Sequence, residues 1–254
     1  MAANSKAFVV TGAARGLGAA AVEALASRGC NVLAVDIDSE EVERGAETAA
    51  SLGGEVVAHA ADVSDSDAVA AAVAAAQSRF GGLDGIFNNA AIEGPWLKLE
   101  EYPDEQFDRV FHVNTRGVWL GIKHAIPALR ANGGGAIVNT ASSLVVIGHP
   151  GLGVYSAAKH AVIGLTKAAA VECAGENIRV NSIIPGPMDT PLFWNQGGAD
   201  YDAGELIKTM SEVIPVGRLG RPDEVAALAA WLLLDGPEII TGANIVADGA
   251  LTLV

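Results

Sequence analysis

The 254 residues suit one large α/β domain or two small ones. Half of them are apolar, enough for a continuous core, and 16 basic against 30 acidic side chains leave a net charge of −14. That balance repels phosphate backbones and anionic lipid, which argues against nucleic-acid and membrane-surface partners.

The chain opens on MAANSKAFVV, with no basic segment leading into a long apolar one, so no secretory signal is expected. The first strand is predicted at Lys6–Thr11 and runs into TGAARGLG, Thr11 to Gly18. Gly12, Gly16 and Gly18 allow a tight turn and close backbone approach to a ligand, and the following helix points free N–H groups outward. Between a first strand and a first helix, this pattern forms a pyrophosphate cradle. A second strand, Asn31–Asp36, ends on a carboxylate 18 residues after Gly18, where dinucleotide-binding folds place an acid for the adenosine ribose hydroxyls. Asp38 and Ser39 are better placed to start the next helix, which leaves Asp36 for the ribose.

Further strands are predicted at Glu55–Ala60, Leu83–Asn88, Gly135–Ala141, Ile178–Ile184 and Asn244–Gly249, separated by Ala-rich helical stretches. Ser64 followed by Asp67 reads as a capping box for one of these. Strands rich in Val and Ile that alternate with helices give a doubly wound parallel sheet of about seven strands, with helices on both faces. No linker or repeat divides residues 1–254, so a single domain is expected. The irregular, aromatic segment 187–216 follows the end of a strand, where α/β proteins build substrate lids. The longest apolar run, Val225–Leu234, falls short of the roughly 18 residues of a membrane span. Cys30 and Cys173 lack metal-ligand spacing and read as reduced, buried small side chains of a cytoplasmic protein.

In YSAAK, Tyr155 and Lys159 are four apart and share one helix face. Ser142 ends a strand 13 residues earlier, so its hydroxyl can face the same pocket. With these residues in place, the chain resembles the short-chain dehydrogenase/reductase family, in its single-domain NAD-dependent branch of about 250 residues with a Rossmann-type fold. The matching stretches are TGAARGLG, Asp62–Val63, NNAA at Asn88–Ala91, Asn114 in HVNTRG, Ser142 in NTAS, YSAAK, PGPMDT from Pro185 to Thr190 and ITGANIVADGA. NNAA stands where NNAG is commoner, and NTAS and ADGA vary around the usual residues, with no reacting group touched.

The resemblance implies Tyr155 as general acid/base, Lys159 as partner of the nicotinamide ribose and of the phenolate, Ser142 as orienter of the substrate oxygen, and Asn114 as anchor of a water leading to Lys159. It implies NAD held by Gly12, Arg15, Gly16, Leu17, Gly18 and Asp36 at one end. Asp62, Val63, Asn89 and Ala90 would follow, then Tyr155, Lys159, Pro185, Gly186, Met188 and Thr190. No metal is required. Substrate contacts would come from Ser142, Leu144, Tyr155, Trp96, Phe193 and Trp194, with Val146 and Leu192 nearby, in an apolar and fairly roomy pocket. No Arg or Lys lies in IEGPWL, LVVIGHPG or PLFWNQGG, so the expected substrate is an uncharged secondary alcohol, diol or ketone rather than an anion.

Three rivals share parts of this pattern. A 3-oxoacyl-carrier-protein reductase would normally use NADPH and need a basic surface for its acidic partner. A non-catalytic NAD-binding regulator would often lack Tyr155 or Lys159. A sugar epimerase would carry a longer substrate region beyond Val254. A homotetramer is expected, built on the apolar helices around FDRVFHVNTRGVWLGIKHAIPAL and SAAKHAVIGLTKAAAVECAG.

Overall fold

The structure is a computed structural model that describes residues 5–194 and 203–254. Its strands are β1 (Ala7–Thr11), β2 (Asn31–Asp36), β3 (Val56–Ala60), β4 (Gly85–Asn88), β5 (Gly135–Thr140), β6 (Ile178–Pro185) and β7 (Asn244–Ala247). Among the described residues they form one sheet in the order β3-β2-β1-β4-β5-β6-β7, every pair parallel. Each predicted strand is present, and the ends differ by one or two residues. Leu83 and Asp84, for example, precede β4, where Asp84 turns its carboxylate onto the Ala7 amide at 2.8 Å and starts the register of β1 with β4.

Alternation along the strands divides the core in two. From β1, Phe8 and Val10 face a layer made by α1 (Gly16–Ala26), α2 (Ser39–Ala50) and α9 (Pro222–Leu234), whereas Val9 faces α3 (Ser66–Phe80), α5 (Gly117–Ala131) and α6 (Gly153–Cys173). Phe8, Phe87, Leu33, Ile86 and Ile137 are essentially inaccessible to solvent. Each such side chain contributes about 1.5–3 kcal/mol on leaving water, which explains why strands covered on both faces read as unbroken apolar runs.

The chain winds outward from β1 to β3, then crosses back to β4 on the other side of β1. This reversal opens a crevice at the carboxyl ends of β1 and β4, where open α/β sheets bind their ligands. Asn88 and Asn139 are fully buried there, and the Asn88 amide donates to Asn139 (2.8 Å), which donates to Thr166 on α6 (2.9 Å). The NNAA stretch therefore does prop the centre of the sheet. The series of donors ties β4, β5 and α6 together, although Asn88 Oδ1 itself has no partner among the described residues.

Two local expectations are corrected. Helix α3 is capped by Asp65, whose carboxylate accepts from the amides of Asp67 (2.8 Å) and Ala68 (3.4 Å), not by Ser64. The Ser64 amide is already held by Asp62 at 2.8 Å in the preceding turn, which delays the helix start. Segment 187–216 is also less irregular than expected, because it contains α7 (Pro191–Trp194) and α8 (Ala203–Val213). Its residues 195–202 lie outside the described residues. Helix α4 (Asp104–Phe111) joins α5 through a π turn, His112–Arg116, that carries Asn114.

Candidate active site

The loop after β1 owes its shape to three glycines. Gly12 (φ +67°) and Gly16 (φ +57°) adopt left-handed conformations that side chains disfavour. A Cβ on Gly18 would lie 1.9 Å from the Gly12 carbonyl oxygen, so only glycine lets α1 begin this close to the turn. Thr190 covers the loop from the other side, 3.3 Å from where a Gly16 Cβ would be. Asn89 fastens the loop to the sheet: its amide donates to Thr11 O (3.2 Å) and Gly12 O (3.4 Å) and accepts from Thr140 (3.2 Å).

Asp36 ends β2 beside this loop. Its carboxylate accepts from the backbone amides of Ala14 (3.0 Å) and Asp38 (3.1 Å), so its rotamer is fixed by main chain. Asp38 is the cap of α2, accepting from Glu41 N at 3.2 Å, and it also pairs with Arg15. The Ala61 amide donates to Asp36 O (2.9 Å), which sets Asp62 and Val63 next to the same strand end.

A cavity of about 550 Å³ runs from this loop to the substrate segments. Gly12, Arg15, Gly16, Leu17, Asp36 and Asn89 line one end. Pro185, Gly186, Met188 and Thr190 follow, and Ser142, Leu144, Tyr155 and Lys159 stand in the wall beyond. Sites predicted more than a hundred residues apart are thus brought to one crevice. Six predicted residues lie outside the wall. Gly18 packs under the loop, Ala90 sits behind Gly12, and Asp62 and Val63 adjoin the end of β2. Asn114 is buried, with its amide donating to Ile92 O (2.7 Å) and accepting from Ile92 N (2.8 Å), so it holds the loop after β4. Trp194 turns outward and donates to Asp189 at 2.7 Å while its ring meets Phe193 edge-on. Val146 is exposed, whereas Leu192 and Phe193 reach the wall.

Helix α6 presents Tyr155 and Lys159 on one face, as the four-residue spacing requires. Lys159 is buried, donates to the Thr140 carbonyl at 2.8 Å and lies 5.6 Å from the Tyr155 ring centre. Burial lowers its pKa to about 7. Burial also pushes the Tyr155 phenol above its ordinary value, helped by the negative charge of Glu93 and opposed by a hydrogen bond with Ser142. Burial thus shifts both groups toward their neutral forms.

Glu93 was missed by sequence reasoning, along with His149, Leu206 and Met210. It lies in the wall, accepts from Trp96 Nε1 at 3.0 Å, and is pushed up to about 7 by burial against the opposing Trp96 hydrogen bond. A buried carboxyl with a raised pKa binds its proton more tightly folded than unfolded. Stability associated with it is therefore present below about pH 4.5 and lost progressively until pH passes about 7. Glu93→Gln keeps the acceptor for Trp96 without the charge. We expect it to be more stable than wild type by about 1–3 kcal/mol at pH 8 and by less than about 1 at pH 5. Urea unfolding at both pH values and one protein concentration checks this. Equal differences at the two pH values would contradict it.

The chain is similar to known proteins over nearly its whole length. A family model described as enoyl-(acyl carrier protein) reductase matches residues 12–252. The cyclohexanol dehydrogenase of Acinetobacter sp. (strain SE19) is 41% identical over 249 residues, covering 98% of this chain and 96% of that one. The crystal structure of a levodione reductase superposes with a TM-score of 0.94 at 35% identity, covering 98% of each chain. That of a 3-ketoacyl-(acyl-carrier-protein) reductase from Brucella melitensis, complexed with NADH, gives 0.88 at 36%, covering 97% of this chain and 98% of that one. With such likeness over nearly its whole length, the chain belongs to the short-chain dehydrogenase/reductase family.

Proposed function

We propose that this protein is an NAD-dependent oxidoreductase that interconverts an uncharged, fairly apolar secondary alcohol or diol and the corresponding ketone. The observation that carries the reading is one continuous cavity with the glycine loop and Asp36 at one end and Ser142, Tyr155 and Lys159 at the other. The glycine positions fit a dinucleotide, since a side chain at Gly12 or Gly16 would be strained and one at Gly186 would meet Asp248 at 2.8 Å. A bound nicotinamide would accept hydride from the alcohol carbon or return it to the ketone.

The chain's own residues do the rest. Ser142, in the same wall as Tyr155, orients the substrate oxygen between the two hydroxyls. Tyr155 Oη takes the alcohol proton in oxidation and gives it back in reduction, a role worth about 10²–10⁴ in rate. Lys159, anchored on Thr140, serves the ribose and the emerging charge on Tyr155. Asn114 fixes Ile92 and the loop that follows it, with its main chain in the π turn as the route for a water chain toward Lys159. Helices α7 and α8 act as the lid of a single domain, with Phe193 and Met210 over the substrate end.

Cyclohexanol and levodione, in the names of two similar proteins, suggest a ring alcohol or ketone for this chain. Among the described residues, Lys159, assigned to the ribose and the phenol, is the one Lys or Arg at the substrate end, and an acidic chain of net charge −14 is a poor match for an acidic carrier protein. A kinetic screen of cyclic and open-chain secondary alcohols, their ketones and a 3-oxoacyl thioester with NAD(H) and NADP(H) tests the reading. Turnover confined to the thioester, or to NADP(H), would overturn it.

The free, buried Cys30 and Cys173 suit the reducing cytoplasm. We assign the enzyme there as a homotetramer. Phe107, stacked on Phe111, Trp119, under the Lys123 ammonium, and Val171 on α6 leave apolar surface exposed along α4, α5 and α6. Two such helical faces per subunit can close against their symmetry mates. Light scattering at micromolar concentration should give four times the 25.8 kDa subunit mass; a monomeric mass would refute the assembly.

A further inference from the structure

The turn after β7 joins the cofactor segment to the substrate end of the cavity. The Gly186 amide donates to Ala247 O at 3.1 Å, and a Cβ on Gly186 would lie 2.8 Å from Asp248 Cα, so the end of β7 rests against the wall at Pro185 and Gly186. The buried Asp248 carboxylate then accepts from the amides of Ala250 and Thr252, each at 2.9 Å. These bonds fold the chain back through Ala250 at φ +70°, a left-handed conformation that a Cβ disfavours. Gly249 fits as closely, since a Cβ there would meet Val216 at 2.6 Å and Ile214 at 2.8 Å, just beyond α8. The outcome is that Leu251 is buried while Leu253 is exposed. Leu251 packs with Phe193 and Ile214 and against Ile147 and Met210, and with Ile147, Phe193 and Met210 it also lines the cavity. A strained turn persists where its surroundings over-determine it, and such strain clusters at ligand clamps.

We propose that Leu251 is a specificity-determining residue that limits substrate size, so that the enzyme prefers a compact ring alcohol to the same ring carrying a branched alkyl group. This rests on the alcohol–ketone activity proposed above and sharpens it. The side chain is backed by the lid on one side and by the Asp248 turn on the other, and close-packed surroundings of this kind resist an added methylene. A bulkier substrate therefore meets a fixed wall. Leu251 offers apolar contact alone, and a hydrocarbon pocket discriminates by fit, by about 10- to 200-fold for each methylene that is missing or in excess.

The test compares kcat/KM with NAD for cyclohexanol and for 2-, 3- and 4-isopropylcyclohexanol in wild type, Leu251→Ala and Leu219→Ala. Wild type should favour cyclohexanol. Leu251→Ala removes an isopropyl group from the wall, so the ratio of the best isopropylcyclohexanol to cyclohexanol should rise by about tenfold or more, mainly through KM. Cyclohexanol itself should be used less well, having lost contacts. Leu219 is buried in the same cluster but stands outside the described wall, so Leu219→Ala opens a similar void and should leave the ratio within about threefold of wild type. If Leu251→Ala fails to fold, Leu251→Val should raise the same ratio by a smaller factor and Leu251→Phe should lower it. An unmoved ratio in the Leu251 variants, or an equal rise in Leu219→Ala, would show a merely structural role and overturn the inference. A wild type that already prefers an isopropyl-substituted ring would overturn it too. Wild-type enzyme inactive on all four alcohols would remove the ring-alcohol activity proposed above and this inference with it.

Discussion

Replacing Tyr155 by phenylalanine is expected to lower kcat by at least about a hundredfold, within the usual 10²–10⁴ for acid–base catalysis, while NADH binding stays within about threefold of wild type. The ring is almost wholly buried and phenylalanine fills the same volume, so packing survives and only the hydroxyl is lost. Its loss leaves no group to exchange the substrate proton. Lys159→Ala should damage turnover and cofactor binding together, since the ammonium that donates to Thr140 is assigned to both the ribose and the phenolate. Stopped-flow kinetics and a fluorescence titration with NADH separate the two effects. More than about a tenth of wild-type kcat in Tyr155→Phe would refute the assignment.

The second large effect concerns cofactor choice. Wild type should prefer NAD to NADP by about tenfold to a thousandfold, since a carboxylate about 4 Å from a 2′-phosphate is repelled by about 1 kcal/mol in water and about 4 at an effective dielectric near 20. Among the described residues, Arg15 is the one cation at this end of the cavity wall, and it is paired with Asp38, which weakens its hold on a phosphate. Asp36→Ala should therefore narrow the preference. Adding Asp38→Asn, which keeps a cap for α2 but removes the partner of Arg15, should narrow it further. The ratio of kcat/KM for the two cofactors in wild type and both variants decides the matter. A wild-type preference for NADP, or a ratio unmoved by Asp36→Ala, would sink the reading.

The parts of this fold and site that were legible in the sequence are those set by short-range chemistry. Val and Ile runs buried on both faces marked the strands, and glycines where a Cβ has no room marked the loop. Four-residue spacing put Tyr155 and Lys159 on one face. Glu93 was not legible because nothing in IEGPWL signals burial. Its environment is assembled by Trp96 and by Tyr155, which arrives from α6. Trp194 misled for the converse reason: an aromatic in a lid segment reads as pocket lining, but one turn of helix aims its indole at Asp189. The α3 start shifted because Asp62 holds the Ser64 amide while Asp65 takes those of Asp67 and Ala68, and the pattern alone does not rank the candidate caps.

The all-parallel sheet also bears on how the protein reaches this state. Each strand pair closes only after a crossover is made, and the β1–β4 seam under the glycine loop joins partners far apart, the Ala7 amide and the Asp84 carboxylate being 77 residues apart. No local hairpin can nucleate such a seam, and non-local pairing slows the search. Helices and the β1–β2–β3 edge can form while the crevice is still open, with Phe8, Ile86 and Phe87 exposed to other chains. Recovery of NADH binding should accordingly trail recovery of helical circular dichroism on dilution from urea. The yield should fall as protein concentration rises, which makes dilute refolding with cofactor present the favoured route to active enzyme.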